Sequence, residues 1–234
     1  MKQLLITTYL LCLINYNVYA LDVLPPPFTA AYELYAKGLP IGKSARQLSF
    51  KDGKWIFEGK THTSGIFALF RDDRIQERSI FKMVEGQIQP LEYIYDHQGS
   101  HKQKYVHLTF DWTRNVVKSI RDKVWEISVP KGVLDEQVFQ IALMQKLQQG
   151  KRELSYQVVD DGKIKTYTPT YLGNEQVKIK LGKFEVLKYQ RVSSDQKRKT
   201  TLWCAPSLHY LPVQIEHSEK GNVVTMVLLS VSGF

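Results

Sequence analysis

The sequence predicts an all-β fold with one main helix: an antiparallel meander curled into an open or partly closed barrel, with helix 135–149 packed against or inside it. Three observations predict it. From residue 28 to the C-terminus, apolar and polar residues alternate with period 2 in segment after segment. That is the pattern of strands with one buried and one solvated face. Short turns rich in Gly, Asp and Pro separate these segments, giving roughly a dozen strands, more than an open sheet carries without curling, closing or splitting into layers. Only the stretch 134–150, after the leader, has helical periodicity.

Residues 1–20 read as a secretory signal peptide. Lys2 supplies the positive start, an apolar run extends from Leu4 to Ile14, and Val18-Tyr19-Ala20 fits a small-x-small cleavage site. The run is shorter than the roughly 20 residues a transmembrane helix needs, and no later stretch is long enough to span. Cleavage would leave 214 residues and lower the formal charge from +9 to +8, because Lys2 is the only charged residue removed. Cys12 leaves with the leader, so Cys204 remains alone and the mature chain has no internal disulfide. A core of this size does not need one. Residues 21–27, with Leu24-Pro25-Pro26-Pro27, read as a stiff linker, and 28–234 as a single antiparallel β domain.

Strand 28–37 carries Phe28, Ala30, Tyr32, Leu34 and Ala36 on one face. After the turn at Gly38-Leu39-Pro40, strand 41–51 places Leu48 and Phe50 inward. Asp52-Gly53 is a strong two-residue hairpin signal. Strand 54–63 returns with Trp55, Phe57 and Gly59 on one face. The stretch Ser64-Gly65-Ile66-Phe67-Ala68-Leu69-Phe70 breaks the alternation and reads as an apolar loop or single helical turn. Strands 74–83 and 87–96 pair around Glu85-Gly86, with Pro90 marking an edge or bulge position. Strands 102–110, 115–121 and 124–129 follow, and Pro130 with Gly132 stops the run.

In the helix, Asp135 sits where an N-cap belongs and Glu136 places negative charge in the first turn. Val138, Ile141, Ala142 and Gln145 follow the helical spacing, and Leu134, Phe139, Leu143 and Leu147 widen the apolar surface. Gly150 is placed to take the left-handed cap. Such a helix is buried on more than one side, as a core element or as a plug over an apolar cavity. Strands 153–159, 163–172, 175–181, 184–192, 199–205, 211–217 and 223–231 complete the sheet. No repeat of 20–50 residues is visible, which disfavours a propeller or solenoid.

The landmarks Tyr32, Gly42, Gly65 to Asp72, Ser79 with Phe81, Pro90-Leu91-Glu92-Tyr93, Phe110-Asp111-Trp112, Leu134-Asp135, Leu181-Gly182, Leu202-Trp203 and Tyr210-Leu211-Pro212-Val213 occur in an order that resembles the exported bacterial domain of unknown function 3108 family. The resemblance covers most of the mature chain. It implies an envelope protein without assigned catalytic residues. The last landmark also resembles the late strand pair of periplasmic lipoprotein carriers, a likeness of fold only.

The sequence predicts no catalytic residue, no metal and no cofactor. His97 and His101 are four apart, but Gly99 between them marks a turn, whereas a zinc pair at that spacing needs a helix. Cys204 alternates with Leu202 on an apolar face and reads as a small buried hydrophobe. Asp72-Asp73 and Asp160-Asp161 sit beside turns, where aspartate caps backbone. There is no phosphate loop, dinucleotide glycine pattern or serine-hydrolase elbow.

Lys188, Arg191, Lys197, Arg198 and Lys199 form a candidate positive hairpin for an anionic surface. Nucleic acid is excluded as a partner by the leader. Ile66, Phe67, Leu69 and Phe70, with Phe139 and Met144 from the helix, are the candidate lining of a cavity mouth. These residues lead to the expectation of a periplasmic protein that binds an apolar or amphipathic envelope component, a lipid or an acylated protein. The alternative is a ligand-free scaffold that meets an envelope protein through a sheet edge or the basic hairpin.

Overall fold

In the computed structural model, residues 24–65, 68, 72–100, 103–121 and 124–234 are described. The elements are β1 (Phe28–Ala36), β2 (Leu39–Lys51), β3 (Lys54–Thr63), β4 (Arg74–Val84), β5 (Gln87–Gln98), β6 (Lys104–Asp111), β7 (Val116–Ser119) and β8 (Trp125–Ser128), then α1 (Phe139–Gln148). After it come β9 (Tyr156–Asp160), β10 (Lys163–Tyr167), β11 (Thr170–Ile179), β12 (Gly182–Val192), β13 (Arg198–Ala205), β14 (Leu211–Glu219) and β15 (Asn222–Ser232). The expected leader, residues 1–20, lies outside the described residues.

Thirteen strands form one sheet in the order β11-β12-β13-β14-β15-β1-β2-β3-β4-β5-β6-β7-β8, while β9 and β10 pair separately. Every neighbouring pair runs antiparallel, and β1 joins the two halves of the meander by pairing with β15. The end strands β11 and β8 are not hydrogen-bonded to each other, so the sheet is curled but open. The β9–β10 hairpin sits between the ends. Its Gly162 meets the Trp125 ring of β8, and its Tyr167 ring lies 3.9 Å under the Arg191 guanidinium of β12.

Tight turns set the register. Asp52-Gly53, Glu85-Gly86 and Asp161-Gly162 all take positive φ at both residues, the two-residue hairpin geometry that matches strand twist. Pro90 sits where the β4–β5 register shifts beside Phe81, as its missing N–H requires. The reading of 163–172 as one strand is corrected. Pro169 cannot continue the ladder, so β10 ends at Tyr167 and β11 restarts at Thr170, crossing a bulge at Gly173 to absorb the segment expected from 175. Phe50 is also corrected: it is 55% exposed and packs on Trp55 near the hairpin tip, beyond the reach of the core.

Helix α1 is buried nearly all round, with Ile141, Leu143, Met144 and Leu147 fully enclosed. Hydrogen bonds tie it to four separate places on its surroundings. Gln140 accepts from Arg46 of β2, Gln145 donates to the Gly86 carbonyl at 3.2 Å, the Ala142 carbonyl accepts from Tyr156 of β9, and Gln148 meets His209 after β13. The sheet therefore curves around the helix. Phe28, Tyr32, Leu48, Phe57 and Phe81 from one half of the sheet share this core with Tyr189, Cys204, Val213 and Leu228 from the other.

The helix begins four residues later than expected. Asp135 does cap the chain, accepting from the N–H groups of Gln137 at 3.0 Å and Val138 at 2.8 Å. What it caps is a turn, since Leu134 is still held extended against Val158 by a parallel bridge. The C-terminal end matches the expectation. Gly150 (φ 75°) donates to the Leu147 carbonyl and Lys151 to that of Lys146, the paired bonds of a Schellman motif.

Candidate functional site

Three openings deserve chemical description. Two meet at Glu136. One, of about 300 Å³, is lined by Tyr93, Tyr105, Trp125, Lys104, Arg121 and Asp160 among others. The other, of about 170 Å³, lies between α1 and β12 and is lined by Arg46, Glu77, Gln140, Tyr167, Arg191 and Leu202 among others. Glu136 lines both, with its Oε1 accepting from the Tyr167 hydroxyl at 3.2 Å. The third is an apolar groove of about 970 Å³ beside the β1–β2 and β14–β15 turns.

Strand alternation brings the polar groups inward. Glu77, Ser79 and Phe81 share one face of β4, and Arg46 shares a face of β2 with Leu48. Glu77 accepts from the Tyr93 hydroxyl at 3.1 Å. Ser79 donates to Asp135 at 2.7 Å. Burial pushes the Asp135 carboxyl up to about 7, against hydrogen bonds from Val138, Ser79 and Gln137 that favour its charged form. Desolvation by the surrounding protein also raises Glu136 to about 7, helped by the charges of Asp160 and Glu77, although its side chain stays open to solvent between the two openings. Glu77 is raised by burial too, with Arg46 opposing. Three neighbouring carboxyl groups thus hold protons more tightly than ordinary acids.

The apolar groove is lined by Tyr35, Leu39, Ile41, Val223, Val224 and Val227 among others. The ends of the 64–73 segment are tied to its rim: the Ser64 N–H donates to the Ile41 carbonyl and the Thr63 N–H to that of Asp73, each at 3.0 Å. The segment's candidate residues Ile66, Phe67, Leu69 and Phe70 lie outside the described residues.

The other candidates do not gather in one place. Met144 is fully buried in the core and lines none of these openings, because α1 is enclosed on that side. Phe139 is half-buried on the 170 Å³ cleft, edge-on to Tyr156 and Tyr167. Lys188 and Arg191 are three residues apart on β12 and so face opposite ways. Lys188 lies on the outer face, 2.8 Å from Glu175 and over the Trp203 ring, whereas Arg191 reaches inward to Tyr167. Only Lys197, Arg198 and Lys199 form an exposed basic turn. Cys204 is fully buried, and burial pushes its thiol far up, away from the nucleophilic thiolate. Among the described residues no three His, Cys, Asp or Glu side chains converge as a metal site.

Sequence reasoning took Asp135 and Glu136 as helix-start residues and passed over Glu77 and Arg46. The signal that exposes them is parity. Each of the latter two shares its parity with a buried aromatic or aliphatic residue of the same strand, Glu77 with Phe81 and Arg46 with Leu48.

The family profile described as protein of unknown function (DUF3108) matches residues 31–228. The chain belongs to this family. No curated protein matches the chain. Among solved structures it is similar to the beta-barrel-like protein of domain of unknown function DUF1849 from Brucella abortus, with a TM-score of 0.65 and 13% identity over 91% of this chain and 99% of that one. At that identity the likeness shows the fold alone, a beta-barrel-like one. No helix among the described residues is long and apolar enough to cross a membrane.

Proposed function

We propose that the family member described here is an exported envelope protein that binds an apolar or amphipathic component, a lipid or an acylated protein, in the groove beside the β1–β2 and β14–β15 turns. The observation that carries this reading is the groove itself. Its volume of about 970 Å³ lies at the upper end of small-ligand sites. Its wall includes Leu39 and Val223, which are 56% and 41% exposed. Covering such side chains with an acyl chain gains about 0.8 kcal/mol for each methylene taken out of water. The signal-like leader at 1–20 supports a periplasmic location. The apolar composition of residues 66–70, together with the rim position of the flanking Ser64, supports a lip that contacts the same ligand.

The test is native mass spectrometry of protein purified from the periplasm without detergent, together with titration of a fluorescent fatty acid. The expected result is a lipid-sized adduct and probe binding weakened at least about tenfold, or about 1.4 kcal/mol, by Leu39→Asp or Val223→Asp. A bare chain that also fails to bind the probe overturns the reading.

A second reading rests on β11. It is a ten-residue edge strand whose side chains are mostly exposed, including Tyr171 and Leu172. A partner strand adding there would make the protein a scaffold, through backbone pairing that such an edge invites.

A further inference from the structure

We propose that the cleft between α1 and β12 binds a small organic carboxylate, seated between the guanidinium groups of Arg46 and Arg191 and hydrogen-bonded by the Gln140 side-chain amide. Gln140 is 7% exposed and lines the cleft. Its Oε1 accepts from Arg46, while its buried Nε2 has no partner among the described residues. A buried NH₂ group without an acceptor costs about 1–3 kcal/mol. An acceptor placed in the cleft removes that cost.

The guanidinium groups specify which acceptor. Arg46 from β2 and Arg191 from β12 line the same cleft, and among the described residues neither is ion-paired. Arg191 is held flat by the Tyr167 ring at 3.9 Å, which leaves its N–H edge available. Two such planar forks and an amide NH₂ are all donors, and the geometry of a fork suits a carboxylate or phosphate. Beside the polar groups, Phe139, Leu202 and Ile215 give the cleft an apolar wall, and that favours an organic acid over a bare inorganic anion. The volume of about 170 Å³ resembles the roughly 150 Å³ cavity that accepts benzene in an engineered core. Benzoate is therefore a fitting probe.

Glu77 and Glu136 also face the cleft and oppose an anion while ionised. The groups around Glu136 are Asp160, Glu77, Lys104 and Tyr167, with Arg46 and Arg191 across the opening. Partial desolvation and the neighbouring acids already bring Glu136 to about 7. A bound carboxylate adds negative charge, raises it further and draws in a proton. Binding is then tighter at low pH, whereas a site without a titrating group shows no change between pH 6 and pH 8.

Isothermal titration with benzoate and, separately, with inorganic phosphate at pH 6 and pH 8 tests this. One benzoate per chain is expected, bound several-fold more tightly at pH 6, with phosphate at least about tenfold weaker. Gln140→Leu and Arg191→Gln should each weaken benzoate about tenfold, whereas Leu39→Asp in the distant apolar groove should leave it unchanged. Fluorobenzoate line-broadening in the unmodified protein gives the same answer if a variant fails to fold. No saturable benzoate binding, or binding untouched by Gln140→Leu, would mean that the cleft holds only water. Phosphate binding as tightly as benzoate would also overturn the carboxylate assignment.

Discussion

Asp135 carries two opposed demands in one carboxyl group. Its Oδ1 accepts from Ser79 and from the backbone of Gln137 and Val138, while Oδ2 is buried without a partner among the described residues. Desolvation wins, and the group sits near 7 instead of 3.8. An acid whose folded-state value is raised binds more protons when folded, so its contribution to stability falls as pH rises through the window between the two values. The window here runs from 3.8 to about 7. Asp135→Asn keeps an oxygen for the two backbone donors and removes the titration. Urea denaturation of both proteins at several pH values should show Asp135→Asn gaining on the parent from about pH 4 to pH 7 and holding its gain above that. A difference that is flat, or that runs the other way, would show that the carboxyl group is not desolvated. The sequence displayed Asp135 as a cap and was right about its backbone partners. It did not display the burial, because that depends on Ser79 arriving from β4, fifty-six residues earlier.

At the scale of elements, local chemistry was readable and long-range constraint was not. The hairpins followed from X-Gly pairs, and α1 followed from its periodicity and from Gly150. Its first turn was misplaced because Leu134 is pinned to Val158, and no pattern within 130–150 reports a strand at 156–160. Gln145 was placed by spacing alone and Gln140 was not singled out, whereas both are buried amides held by distant groups, the Gly86 carbonyl and Arg46. The Schellman end offers a clean check. Gly150 has φ 75°, and a Cβ added there would meet nothing within 4 Å. The whole effect of Gly150→Ala is then backbone conformation, an expected loss of about 1 kcal/mol in chemical denaturation. A loss several times larger would point to a contact that the geometry does not contain.

The whole molecule depends on a junction that no local signal announces. Each turn links neighbours in sequence, yet the sheet is continuous only because β1 pairs with β15, near the opposite end of the chain. Tyr32 and Leu228 are register partners at that seam and are both fully buried. The Tyr32 hydroxyl reaches the Pro212 carbonyl of β14 at 3.0 Å. Pairing of such distant strands forms late and is costly in chain entropy, so the seam decides whether the two halves behave as one unit. Trp55 in β3 and Trp203 in β13 report one half each. In single-tryptophan variants that keep only one of them, both probes should unfold at the same urea concentration. Leu228→Ala removes a packed side chain at the seam and should shift both transitions together, by about 2–5 kcal/mol. If only the Trp203 transition moves, the halves melt separately and the curled sheet is two structures in contact. If both move as one, the pairing of β1 with β15 is what makes the barrel a single cooperative body, and the helix at its centre is held by all of it.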